Sequence, residues 1–210
     1  MQYHLNLLFL TLFTFVSFID INGQTISKEE WEILNKEIAA EKWAHAEKTC
    51  SNLLEKYKGQ ENFLDEAALV RYYYLQCVSA QLNQKQYSTR KSLTKVKMLK
   101  GNHIMSPVRE FKEVGIYNYF SLNDDSTGFF SCLPDNAKKH IQLFELYFMA
   151  DNSILGKTDS LEGKFIQLAG TIKDILAWGT DYKQFELIIE NAYIYIPYGK
   201  ENNNTPVLIK

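Results

Sequence analysis

The spacing of apolar residues changes near Gly101, and this change most constrains the fold. Before Gly101, apolar residues recur every three or four positions, whereas after it they alternate in short runs. The first spacing is typical of amphipathic helices and the second of half-buried strands. The sequence therefore predicts an α+β protein, in which N-terminal antiparallel helical hairpins pack on a small C-terminal antiparallel β barrel or sheet.

Four helices are predicted before Gly101. The first begins after Ser27, because Ser27 and Glu30 have the S-x-x-E spacing of a capping box. Gly59 is placed to end the second helix, since glycine adopts the left-handed conformation found after helix C-termini. The other three helices are predicted at residues 43–57, 63–82 and 87–99.

An aromatic residue stands at the start of the second helix in each predicted pair. These residues are Trp43, in the string EKWAHA, and Tyr87, in the string QKQYS. Over about 75 residues this pattern resembles the tetratricopeptide helical hairpin, in which an aromatic residue at this position accompanies tight stacking. The resemblance implies a TPR-like pair of hairpins over residues 27–100.

Strand patterns dominate the rest of the chain. Short runs are predicted at 117–122 and 129–133, and residues 137–149 fit either a helix or a strand, with the latter half favouring a strand. A three-strand meander is predicted at 164–175, 185–189 and 192–196, with a bend or bulge at Gly170 and a turn at Glu190 and Asn191. Residues 207–209 are predicted as a short edge strand.

The strings LEGKFIQLAGTIKDI and FELIIENAYIYI carry a second resemblance. They resemble the first three strands of OB-fold-like small barrels, which have a long bent first strand with a central glycine. The resemblance implies an OB-like β module that includes residues 163–197.

An apolar run at residues 5–19 precedes all of these elements. Its length and the small residue Gly23 after it are typical of a secretory signal peptide. An uncleaved anchor is the alternative, although the run is shorter than the ~20 residues that cross a bilayer. The predicted organisation is a signal peptide at 1–23, a helical module at 24–101 and a β-rich module at 102–210. Cleavage would place the protein in the periplasm or outside the cell.

Charge is unevenly distributed along the chain. Residues 67–109 contain eight basic and no acidic residues, a formal charge of +8, whereas residues 110–210 contain 14 acidic and 9 basic residues, a charge of −5. The predicted fourth helix carries four of the cations, namely Arg90, Lys91, Lys95 and Lys97. Three interpretations remain open: a solvated helix face, a surface for an anionic partner, or docking of the basic segment on the acidic module.

Aromatic side chains on the predicted meander form the second candidate surface. Phe165, Tyr193 and Tyr195 alternate with the Ile and Leu residues, and Lys173 has the same parity as Phe165. Rings near a cation can stack on bases or sugars, so these four residues are candidates for glycan or oligonucleotide binding. The alternative is that the helices cover this face.

Residues capable of catalysis are scattered. Asp124 and Asp125 lie in a predicted turn, and Cys132 and His140 have no spacing that implies a catalytic pair. No cysteine or histidine motif for a metal is present, so neither a metal nor a cofactor is predicted. Cys50 and Cys77, on neighbouring predicted helices, could either pair or remain as buried thiols.

The sequence therefore predicts a non-catalytic exported protein that acts in binding or assembly. Its expected partner is another protein or an anionic polymer. One alternative is a hydrolase-type enzyme that uses Asp124, Asp125 or His140 between the two modules. The other is a glycan or oligonucleotide binder that uses the aromatic residues of the β module.

Overall fold

The computed structural model describes residues 25–60, 64–111, 121–122, 128–134, 142–149, 162–179, 183–196 and 207–209. The predicted signal peptide at 1–23 lies outside these residues. Four helices come first in the described chain: α1 (Lys28–Ala39), α2 (Trp43–Lys56), α3 (Leu64–Asn83) and α4 (Thr89–Lys97).

The helix ends follow the predicted capping chemistry. The Ser27 hydroxyl accepts a hydrogen bond from the Glu30 amide, and the Glu30 carboxylate accepts one from the Ser27 amide, so the capping box is confirmed. Gly59, with φ of +82°, follows α2 as expected. The last helix begins later than predicted because Ser88 is its N-cap and accepts from the Lys91 amide.

Helix α3 is central to the helical part. Unlike α1, which buries only Trp31 and Leu34, it buries residues on most of its circumference. The reason is that α2 and α4 pack against it, as do strands of the sheet. A helix that is apolar on most sides is expected in such an enclosed position.

Eight strands follow: β1 (His103–Met105), β2 (Arg109–Glu110), β3 (Ser121–Leu122), β4 (Gly128–Pro134), β5 (Gln142–Met149), β6 (Phe165–Trp178), β7 (Gln184–Ile196) and β8 (Val207–Ile209). The sheet order is β1-β6-β7-β5-β4-β3, with β2 also paired to β6 and β8 to β7. Neighbouring strands are antiparallel except for β5 and β7, which are parallel. The succession of helices and sheet confirms the α+β class, and β5 and β8 confirm the strands predicted at these positions.

The predicted three-strand meander is wrong. Strand β7 continues from Gln184 to Ile196, because Asn191 forms a bulge, with φ of +52°, rather than a turn. The register with β6 shifts there: Ala169 pairs with Tyr193, whereas Thr171 pairs with Glu190. An irregularity in pairing at Gly170 is thus confirmed, but the extra residue lies in β7, where it joins the two segments that were predicted as separate strands.

Helices and strands share one hydrophobic core. Leu75 of α3 and Val96 of α4 belong to the same buried cluster as Ile166, Ile172 and Leu187 of the sheet. None of the described helices combines the length and the apolar character required to cross a bilayer.

Candidate functional site

The aromatic candidates lie at one end of the β6–β7 hairpin. Phe165 begins β6 and is 46% exposed, while Tyr193 and Tyr195 lie opposite Ala169 and Gln167 and are half-buried. Lys173 is exposed, but it follows Phe165 by eight residues, which corresponds to about 26 Å along a strand. Phe165 is therefore far from Lys173, and Tyr193 lies about midway between them along the hairpin.

Tyr193 makes close contacts with the first strand. Its ring stacks on the His103 imidazole, with centroids 5.5 Å apart and planes inclined by 13°. The Tyr193 hydroxyl also lies 2.8 Å from His103 Nε2. Arg71 of α3 donates a hydrogen bond of 2.8 Å to the His103 carbonyl, which links this pair to the helices.

Burial changes the titration of this pair. It lowers the pKa of His103, an effect that Asp65 partly offsets and Arg71 increases. Desolvation raises the pKa of Tyr193.

Tyr193 also packs against a small cluster of Ala68, Met105 and Ala169. Because Ala68 belongs to α3, the helices cover part of the face that carries Tyr193, while Phe165 remains exposed.

The four basic candidates of α4 differ in their surroundings. Lys95 is half-buried, and its ammonium lies 2.6 Å from Glu47 Oε1. The Lys91 ammonium lies 3.8 Å from the centroid of the Tyr87 ring, which is a cation–π distance. Arg90 and Lys97 are exposed. Lys95 is thus engaged by Glu47, whereas Arg90, Lys91 and Lys97 are exposed.

Glu47 is a residue that the sequence analysis missed. It is only 5% exposed and accepts hydrogen bonds from Gln81 Nε2 (2.5 Å), the Tyr87 hydroxyl (2.9 Å) and Lys95 Nζ (2.6 Å). The hydrogen bond between Lys95 and Glu47 raises the pKa of Lys95. The signal was its position: Glu47 follows Trp43 by four residues on the apolar stripe of α2, where a carboxylate requires partners.

A mixed basic and apolar surface forms where α4 meets β6. Lys97, Met98, Lys173 and Leu176 are exposed there, Met98 by 71% and Leu176 by 44%. Lys100 and Asp174 form an ion pair of 3.3 Å that joins the two segments. Backbone hydrogen bonds from Gly101 to Ile172 and from Ile172 to Asn102 hold them together. We call Lys97, Met98, Lys100, Lys173, Asp174 and Leu176 the junction surface.

The charges of the junction surface interact. The pKa of Asp174 is lowered first by a hydrogen bond from the Ile175 amide and then by Lys100, with a smaller contribution from Lys97. Three lysines and one aspartate leave the junction surface with a net positive charge.

A groove of about 230 Å³ lies between α1 and α2. The carboxylate of Glu30, which lines this groove, accepts hydrogen bonds from the Lys56 ammonium (2.7 Å) and the Tyr57 hydroxyl (2.6 Å). Although burial alone would raise the pKa of Glu30, these bonds bring it to about 2. The groove is lined by Glu30, Ile33, Thr49, Asn52, Leu53 and Lys56.

The candidate catalytic residues do not lie among the described side chains. Asp124, Asp125 and His140 lie outside the described residues, and nothing is described of the Cys132 side chain in β4. Among the described side chains, no group of three or more His, Cys, Asp or Glu residues could hold a metal ion. Cys50 and Cys77 are both buried free thiols, with no disulfide between them.

The comparisons with known proteins identify no related protein. Searches with protein-family models, curated proteins and solved structures find no match to this chain.

Proposed function

We propose that this chain is an exported, non-catalytic binding protein whose partner docks on the junction surface. The observation that carries the proposal is the exposure of Met98 and Leu176 next to Lys97 and Lys173. Contiguous exposed apolar patches with a polar rim mark interaction sites. The partner is another protein that presents acidic and apolar side chains together.

The position of these residues supports one continuous surface. The Lys100–Asp174 ion pair holds the end of α4 beside β6. Met98 lies two residues before Lys100 at the end of α4, and Leu176 lies on the same face of β6 as Asp174. Lysines next to an apolar patch attract an acidic partner and orient it before contact.

Export rests on the N-terminal sequence. The apolar run at 5–19 followed by Gly23 has the form of a secretory signal, and its removal places the binding protein in the periplasm or outside the cell. The mass of the product recovered from an exporting host determines whether cleavage occurs near Gly23.

The finer fold assignments are also part of this proposal. We infer that α1–α2 and α3–α4 are TPR-like hairpins, since Trp43 is buried at the start of α2 and Tyr87 packs just before α4. We infer that β6 and β7 are OB-like, since β6 is long and shifts register next to Gly170. Both architectures serve as interaction scaffolds, which is an analogy of fold.

Site-specific photo-crosslinking tests the binding proposal. A benzophenone amino acid replaces Met98 or Leu176 in the full chain, and the exported fraction of the producing organism is irradiated. We expect both positions to yield an adduct with the same protein, and the Lys97→Glu/Lys173→Glu change to remove that adduct, because it reverses the attraction for acidic side chains.

Ile33 provides the matched control, because it is also exposed but lies on α1. The same adduct at position 33, or no adduct at 98 and 176, contradicts the proposal. An anionic polymer is the partner instead if retention on heparin falls in the lysine variant but not in Met98→Ser/Leu176→Ser.

A further inference from the structure

Two thiols face each other across the interface between α2 and α3. Glu47 and Gln81 are hydrogen bonded between these helices, and Cys50 and Cys77 lie about one turn away, in the order expected for antiparallel packing. The Cys50 and Cys77 thiols are both fully buried in the same hydrophobic cluster. The two cysteines are therefore neighbours.

The helix geometry is compatible with a covalent bond. Axes of packed helices lie about 8–10 Å apart and each Cα lies about 2.3 Å from its axis, so Cα atoms that face each other directly are roughly 3.4–5.4 Å apart. Disulfides span Cα distances of about 4.4–6.8 Å. Ala46 and Ala80, both small and buried, stand on the same helices near the pair and favour close approach.

We propose that Cys50 and Cys77 form an intramolecular disulfide that joins α2 to α3 when the chain folds in the presence of a disulfide oxidant. This modification is independent of the partner on the junction surface. Export would expose the folding chain to such an oxidant, since oxidising conditions prevail in the periplasm and outside the cell.

The exchange proceeds in two balanced steps with glutathione disulfide as the oxidant. The thiolate of one cysteine attacks a glutathione sulfur, which forms a mixed disulfide and releases one glutathione thiolate. The thiolate of the second cysteine then displaces the remaining glutathione. Two protein thiols are oxidised, one glutathione disulfide is reduced to two glutathione molecules, and the two thiol protons end on them.

Burial determines when this reaction occurs. Desolvation raises the pKa of the Cys50 thiol, and the neighbouring Cys77 raises it further, so little thiolate is present in the folded protein. The exchange therefore occurs before α2 and α3 close over the sulfurs. The reduced folded protein should react slowly with glutathione disulfide, whereas the unfolded chain should react as it refolds.

Peptide mapping of the full chain tests the proposal. The reduced chain is unfolded in guanidinium, refolded with glutathione disulfide, alkylated and digested with trypsin without reduction. Residues 49–56 contain Cys50, residues 72–85 contain Cys77 and residues 113–138 contain Cys132. We expect the first two peptides to be linked to each other and the third to carry an alkylated thiol.

Thermal unfolding supplies the second measurement. A disulfide that closes the loop from Cys50 to Cys77 should raise the melting temperature of the oxidised chain by about 5–10 °C over that of the reduced chain. Cys77→Ser should abolish this redox difference, whereas Cys132→Ser should retain it. Alkylated peptides 49–56 and 72–85 after oxidative refolding, or a link from either one to 113–138, would overturn the proposal.

Discussion

Glu47 shows how one buried carboxylate can fix the arrangement of three helices. Its oxygens accept hydrogen bonds from Gln81 of α3, from Tyr87 before α4 and from Lys95 of α4. A shift of α3 or α4 relative to α2 would break at least one of these bonds. Leaving a buried charge without its partners is costly, so this network favours a single packing arrangement.

Replacement of Glu47 with alanine should lower the free energy of unfolding by about 2–3 kcal/mol. The reason is that Gln81 and Tyr87 lose a buried acceptor, although Lys95 is partly exposed and can regain water. Urea unfolding of the two proteins measures the difference.

Glu55→Ala is the matched control, since this residue is an exposed glutamate on the same helix whose ion pair with Lys58 spans 3.8 Å. We expect this control to change the free energy by less than about 0.5 kcal/mol. Equal losses in the two variants would show that the network contributes nothing specific.

At the scale of the elements, the β6–β7 hairpin depends on Gly170. A Cβ atom at this position would overlap Ile189 Cγ2 and would lie 3.0 Å from the Glu190 carbonyl oxygen and 3.1 Å from Ala192 Cα. These contacts follow from the bulge at Asn191, which brings the β7 backbone against β6. Glycine is required there because two backbones approach closely.

Gly170→Ala should therefore destabilise the protein by about 1–3 kcal/mol, the cost typical of an overpacked interior. Chemical denaturation measures this value. Thr171→Ala, at the next and half-buried position of β6, should cost less than the glycine change. If the alanine at 170 is tolerated as well as the alanine at 171, the close approach is not a constraint.

This hairpin also shows where sequence patterns succeed and fail. Alternation predicted β6 and the two halves of β7 as separate strands, and Gly170 predicted a bend or bulge. The polar pair Glu190 and Asn191 was interpreted as a turn, because such residues favour turns locally. A bulge uses the same left-handed conformation, and only the pairing with β6 on both sides distinguishes the two.

At the scale of the whole molecule, much of the basic charge is used internally. Lys95 binds Glu47, Arg71 binds the His103 carbonyl, and Lys100 joins the helical part to Asp174. Composition revealed the +8 segment but could not assign partners to its charges, because those partners come from distant parts of the chain. For the same reason, the junction surface could not be predicted from α4 alone.

The contact between helices and sheet at His103 should make the stability of the whole protein depend on pH. His103 is held between Tyr193 and α3, and burial lowers its pKa below the usual value of about 6.5. In the interval between the folded and unfolded pKa values, the unfolded chain binds more protons. The free energy of unfolding should therefore fall as the pH decreases from about 7.5 through 6.5, by at most about 1.4 kcal/mol per pH unit, and this contribution levels off below the folded pKa.

His103→Gln should flatten this part of the pH profile, since glutamine does not titrate. The measurement is a series of urea unfolding curves between about pH 5 and 8, a range that spans the titration of histidine. His45→Gln, which removes an imidazole exposed on α2, should keep the wild-type profile. A decrease towards low pH that persists in His103→Gln would assign the effect to other groups. A decrease lost only in that variant would show that this imidazole couples proton binding to the packing of the helices on the sheet.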